Sequence, residues 1–139
     1  MKNTFKSDLE FGQKHEDKIF SLLKMHKKNA EIKTEKFESW TRNGNMCIEV
    51  SCYGKPSGIF HPSHKKNNTK LWIHNFCEEG NEDYTGSIIF KFDYVKNLAE
   101  NYKNKSVMGG DNHMAKLVLV PINEIFDRKN YNGKGEKRK

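Results

Sequence analysis

Residues 115–120, AKLVLV, form a near-continuous apolar run in a chain otherwise thick with charge. A strand that is apolar along its whole length is buried on both faces, so it belongs in the middle of a sheet with layers on either side. Pro121 closes the run and opens a last helical turn, PINEIFD, because proline suits the first helical position. The rest of the chain must supply this strand's neighbours and cover.

The length of 139 residues fits one domain with a core of its own. Hydrophobic residues make up 35% and aromatics 12%, enough for a globular fold. No apolar run approaches the roughly 20 residues that cross a bilayer, and MKNTFKSDLEFG lacks the apolar stretch of a secretory signal. Cys47, Cys52 and Cys77 form no CxxC pair. An odd count without a signal fits reduced thiols in a cytosol, bacterial or that of a phage-infected host. The formal charge of +7 points toward nucleic acid, but residues 128–139, with six basic residues and one acid, hold +5 of it. The expected organisation is therefore a body, 1–127, followed by a basic, flexible tail, 128–139.

The remaining segments read as follows. Residues 7–27 predict a helix capped by Ser7 or Asp8, with Ile19, Leu22, Leu23 and His26 on one face and Glu16 on or beside it. Residues 29–35 alternate, with Ala30, Ile32 and Thr34 on one side and Glu31, Lys33 and Glu35 on the other. Residues 45–52 alternate too, with Met46, Ile48, Val50 and Cys52 opposite Cys47, Glu49 and Ser51. Asn43-Gly44 between them is a turn signal, and the simplest pairing is antiparallel, polar face beside polar face. TKLWIHNF (69–76) and GSIIFKF (86–92) are further strands. Asp93 caps a helix to about Tyr102 with the stripe Val95, Leu98, Ala99 and Tyr102. KNKSVMGGDNHM is a loop. The order helix, four strands, helix, strand, short helix predicts a single α/β (α+β) domain with a mixed sheet flanked by helices.

Glu31 and Glu49 on neighbouring strands, with Lys33 on Glu31's face, would supply hard oxygen ligands for a divalent ion and a charge to orient an attacking water. Glu16 would add a ligand. The same residues also fit a solvated strand face with cross-strand ion pairs. The spacing alone leaves both readings open.

The segment EIKTEKFESWTRNGNMCIEVSCYGKPSGI (31–59) resembles the active-site segment of phage-type nucleases of the PD-(D/E)xK superfamily. There an ExK strand is followed by an acidic residue, a GN turn, an "IE" strand and a GKPSGI-like turn. GGDNHMAKLVLVP (109–121) resembles the loop and last strand of the same group. The resemblance implies a restriction-endonuclease-like fold and a nuclease that hydrolyses DNA with Mg²⁺ or Mn²⁺ in recombination, repair or degradation. It implies Glu31 and Lys33 as the ExK pair, Glu49 as the acid of the "IE" strand, Glu35 where relatives often have Asp, and Glu16 as the first-helix glutamate. Glu31, Lys33 and Glu49 are then catalytic, and Glu16, Glu31 and Glu49 hold the metal. The superfamily's aspartate on a strand before ExK is missing here. Either Glu31 takes its role, or a ligand is absent and the protein binds nucleic acid without cutting it. In the turn, Gly54 and Gly58 permit positive φ or close approach to a phosphate, and Pro56 stiffens the backbone. Lys55, Ser57, Gly58, Lys65 and Lys66 are the candidate nucleic-acid contacts. DNA is the expected partner, with RNA and homodimerisation left open and no membrane partner.

His61, His64, His74 and Cys77 form two xx-spaced pairs that could bind zinc, or serve as surface histidines and a buried thiol. Trp40 and Trp72 suit the core, with base stacking by Trp40 as the alternative. No P-loop, GxSxG or Rossmann glycine pattern is present.

Overall fold

A computed structural model describes residues 4–24, 29–78 and 84–130. Helix α1 (Thr4–Leu23) precedes strand β1 (Ala30–Lys36), a short helix α2 (Phe37–Asn43) and β2 (Asn45–Cys52). Then come β3 (Lys55–Pro56), a 3₁₀ turn Gly58–Phe60, α3 (Ser63–Lys66), β4 (Leu71–Cys77) and β5 (Tyr84–Lys91). The chain continues through α4 (Phe92–Asn101), β6 (Ser106–Gly109) and β7 (Ala115–Pro121) to a 3₁₀ turn at Arg128–Asn130. The result is a mixed α+β domain with two sheets, β1-β4-β5 and β3-β2-β7-β6. No helix among the described residues is long and apolar enough to cross a membrane.

β7 takes the expected central place between β2 and β6. Val118 and Val120 are buried, while Leu117 and Leu119 on its other face are half-buried. α4 carries the stripe that its 3.6-residue period predicts: Val95, Leu98, Ala99 and Tyr102 all enter the core. That core is continuous, joining Met46 and Ile48 of β2 to Trp72 and Phe76 of β4. Each large apolar side chain buried there contributes roughly 1.5–3 kcal/mol.

Several expectations are corrected. β1 does not pair with β2; it lies parallel to β4, with Lys33 opposite His74. β2 instead runs antiparallel to β7 and, at its end, to β3. The reason lies in Asn43-Gly44, which is no hairpin turn. Gly44, at φ 68°, caps α2 in the left-handed region, its N–H donating to Trp40 O at 2.8 Å. The intervening helix separates the two strands and carries Trp40 into the core against Phe76, their ring centroids 3.7 Å apart. That burial rules out base stacking by Trp40.

α1 starts at Thr4, ahead of the expected cap, and its described side chains are exposed, with Ile19 and Leu23 at 47% and 55%. His26 lies outside the described residues. α4 starts at Phe92, so Asp93 sits in its first turn and does not cap it. Part of the supposed loop 103–114 is strand β6. The folded body also passes the expected boundary at 127. Asn130 is fully buried, donating to Glu124 O at 2.7 Å and Tyr102 Oη at 3.1 Å. The rest of the tail, 131–139, lies outside the described residues.

Candidate functional site

Glu49 sits on the half-buried side of β2, between the buried Ile48 and the half-buried Val50. The register with β7 breaks just after it, between Glu49 and Ser51, and the chain turns sharply through Tyr53 and Gly54. The turn folds back so that Ser57 N–H donates to Val50 O at 3.1 Å and Ser57 Oγ donates to Glu49 Oε2 at 2.8 Å. Gly58, at φ 55°, presses directly on Glu49: a Cβ there would stand 2.1 Å from Glu49 O. Only glycine fits that position. The YGKPSG turn thus holds the Glu49 carboxylate in place through Ser57 and Gly58.

His64 secures the turn from behind. It is buried, with Nε2 2.8 Å from Gly58 O and Nδ1 3.0 Å from Thr69 Oγ1. The carbonyl can only accept, so Nε2 carries the proton and Nδ1 accepts from Thr69.

The second carboxylate is Glu35. β1 turns Glu31, Lys33 and Glu35 to its half-buried side and exposes Ile32 and Thr34. Glu35 Oε2 lies 2.7 Å from Nε2 of His74, which is 1% exposed on β4. Trp72 Nε1–H donates to His74 Nδ1 at 3.3 Å. An indole nitrogen only donates, so Nδ1 is unprotonated and the proton sits on Nε2, donated to Glu35. His74 is therefore a neutral buried histidine that orients a carboxylate. Glu35 also reaches β2. Burial, then the Glu35 charge and a hydrogen bond to it, push the Cys47 thiol up to about 12. Strand alternation puts Cys47 and Glu49 on the same side. Cys47 is held as an un-ionised thiol, which makes it a poor nucleophile.

The two segments that carry the nuclease resemblance also meet. Tyr53 N–H donates to Met114 O at 3.0 Å, and Asn112 Nδ2 donates to Tyr53 Oη at 3.3 Å. Tyr53, Asn112 and His113 all have positive φ, an unfavourable state for non-glycine residues. Such strain gathers at functional sites.

The other expected residues are placed as follows. Glu31 and Lys33 share the half-buried side of β1 with Glu35, but β1 and β2 are not adjacent strands, so Glu31 and Glu49 are not cross-strand neighbours. Glu16 is exposed on α1. Lys55, Lys65 and Lys66 are exposed, on β3 and α3, and Ser57 and Gly58 lie against Glu49. Among the described residues, no three of His, Cys, Asp and Glu gather as a metal group. The zinc alternative is left with too few free donors: His64 and His74 use both ring nitrogens, Cys77 Sγ accepts from Asn75 Nδ2 at 3.3 Å, and the exposed His61 engages Ser63 through Nδ1. Sequence reasoning missed Cys47 and the orienting roles of His64 and His74. Cys47's place two residues before Glu49 was the available signal. No family profile, curated protein or solved structure matches the chain.

Proposed function

We propose that this chain is a metal-dependent nuclease that hydrolyses DNA phosphodiester bonds on a restriction-endonuclease-like core. The observation that carries this reading is that Glu35 and Glu49 each have one carboxylate oxygen already oriented by a donor, Glu35 by His74 and Glu49 by Ser57. Mg²⁺ is commonly bound by one or two carboxylates, its other positions filled by water and substrate phosphate. A two-carboxylate donor set of hard oxygens fits that need without a third protein acid.

Glu35 and Glu49 would hold the ion, which supplies Lewis acidity and a more acidic bound water. The protein's own groups do the rest. His74 and Ser57 fix the carboxylates by donating to Glu35 and Glu49 and leave the opposite oxygens for a ligand. Lys33, beside Glu35 on β1, is assigned to the charge that develops on the phosphate. Lys55, exposed two residues before Ser57, is assigned to the phosphodiester backbone. A second reading, binding without cleavage, is favoured by Glu16 standing exposed on α1 and by the lack of a three-ligand group among the described residues.

The test is cleavage of single-stranded, duplex and branched DNA with Mg²⁺ or Mn²⁺. Wild type should cut at least one of them. Glu49→Gln and Glu35→Gln should each lose about 10²–10³-fold in turnover, the size of loss seen when a key electrostatic group is removed. Binding without cleavage of any substrate would replace the enzyme reading with the second one.

A further inference from the structure

Against the Gly58–Phe60 turn, a groove of about 880 Å³ opens between α3, the starts of β4 and α4, and the end of β5. Topology brings four lysines to it from four places. Lys65 lies on α3, Lys70 precedes β4, Lys91 ends β5, and Lys96 lies one turn into α4. Phe92 N–H donates to Lys70 O at 2.8 Å, and Leu71 pairs with Lys91, so these positions are held together by backbone. All four lysines are exposed, and none forms an ion pair among the described residues. Asp93 is the one acid among the described residues that lines the groove. The N-terminal end of α4, without a side-chain cap, opens into the same space and adds positive potential. The floor is apolar, with Phe92 buried and Phe60 half-buried.

Four unpaired cations against a single acid, above an apolar, partly aromatic floor, suit a polymer with both a phosphate backbone and flat bases. We propose that this groove seats the phosphodiester backbone of a nucleic-acid strand, which then passes over the Gly58–Phe60 turn to Glu49. The binding step stands on the groove alone; the path to Glu49 rests on the nuclease reading.

The test is fluorescence anisotropy with single-stranded and duplex DNA in EDTA across a salt series, using the full chain. Lys70→Glu/Lys91→Glu and Lys65→Glu/Lys96→Glu are compared with Lys24→Glu/Lys103→Glu, which makes the same charge change away from the groove. Melting curves check that each variant is folded. Each groove pair should weaken binding about 10–100-fold and flatten the salt slope by roughly 1.4–1.8, two phosphate contacts' worth. The control pair should lose less than about 3-fold with the slope unchanged. The proposal is overturned if the groove pairs behave like the control, if wild type binds neither DNA, or if polyphosphate binds as tightly as both. If the groove pairs lose binding while wild type never cuts, the groove stands and the nuclease reading falls. If the groove pairs bind and cut like wild type, the reverse holds.

Discussion

β2 buries Met46 and Ile48 completely and keeps Cys47 and Glu49 half-buried, whereas β1 turns Ile32 outward, 58% exposed, and half-buries Glu31, Lys33 and Glu35. Both strands alternate, β2 as far as Glu49, yet they orient in opposite senses. Parallel pairing explains β1: Lys33 stands opposite His74, so its charged row shares a face with Trp72, His74 and Phe76, the buried side of β4. On the outer face, Ile32, Ile73 and Ile89 make a row across the sheet in direct register. β1 thus forgoes the roughly 1.5–3 kcal/mol that burying Ile32 would contribute. A strand that breaks the hydrophobic rule while its acid is met by a buried histidine is what the proposed nuclease site would require of β1.

The largest expected effect is at the turn that holds β2. Gly58→Val places a branched side chain at φ 55° and drives its Cβ into the Glu49 carbonyl. The backbone penalty alone is about 1–2 kcal/mol, and the clash is with main chain that cannot step aside. A loss of at least about 3 kcal/mol in denaturant unfolding is expected. A near-neutral result would mean that the turn does not press on β2, and the account of how Glu49 is held would fail.

The comparison itself is tested by paired truncations. Ile48→Ala should cost about 2–5 kcal/mol, the range for fully buried aliphatic residues. Ile32→Ala should stay within about 0.5 kcal/mol, as for a surface site. Equal costs would show that Ile32 is covered in solution and that β1 is not inverted.

Much of this was legible in the sequence. The alternation of both strands and the α4 stripe follow from local periodicity, which short-range sterics enforce, and the central place of β7 follows from its near-continuous apolar run. What was not legible is non-local. Asn43-Gly44 signals a left-handed residue, and a hairpin turn and a helix C-cap need the same conformation, so the signal could not tell them apart. The parallel pairing of β1 with β4 depends on a partner some 40 residues away. β6 was hidden because it is a short edge strand with Val107 and Met108 exposed. At the site, Glu49 and its turn were readable because the residues that fix the carboxylate follow within ten positions. The bond from Glu35 to His74 spans 39 positions, and nothing local in WIHNF marks its histidine as buried.

The smallest effect bears on the link between the two strands. At pH 8, a thiol moved from 9.0 to about 12 has a thiolate population ~1000-fold below that of an ordinary cysteine. Cys47 should therefore resist disulfide-exchange reagents in the folded protein and react once unfolded, with labelled peptides identifying the site. Burial is the larger cause, and Glu35→Gln removes only the second. Its effect should be a partial gain in Cys47 reactivity, about several-fold, with the other thiols unchanged. The stability linkage has a definite sign. The folded-state value is raised, so the un-ionised thiol's contribution is complete below about 9 and fades as pH rises from 9 to about 12. Over that window wild type should lose stability faster than Cys47→Ala. If Glu35→Gln leaves Cys47 reactivity unchanged, then Glu35 does not reach β2. The two carboxylates would then belong to separate strands without a shared site.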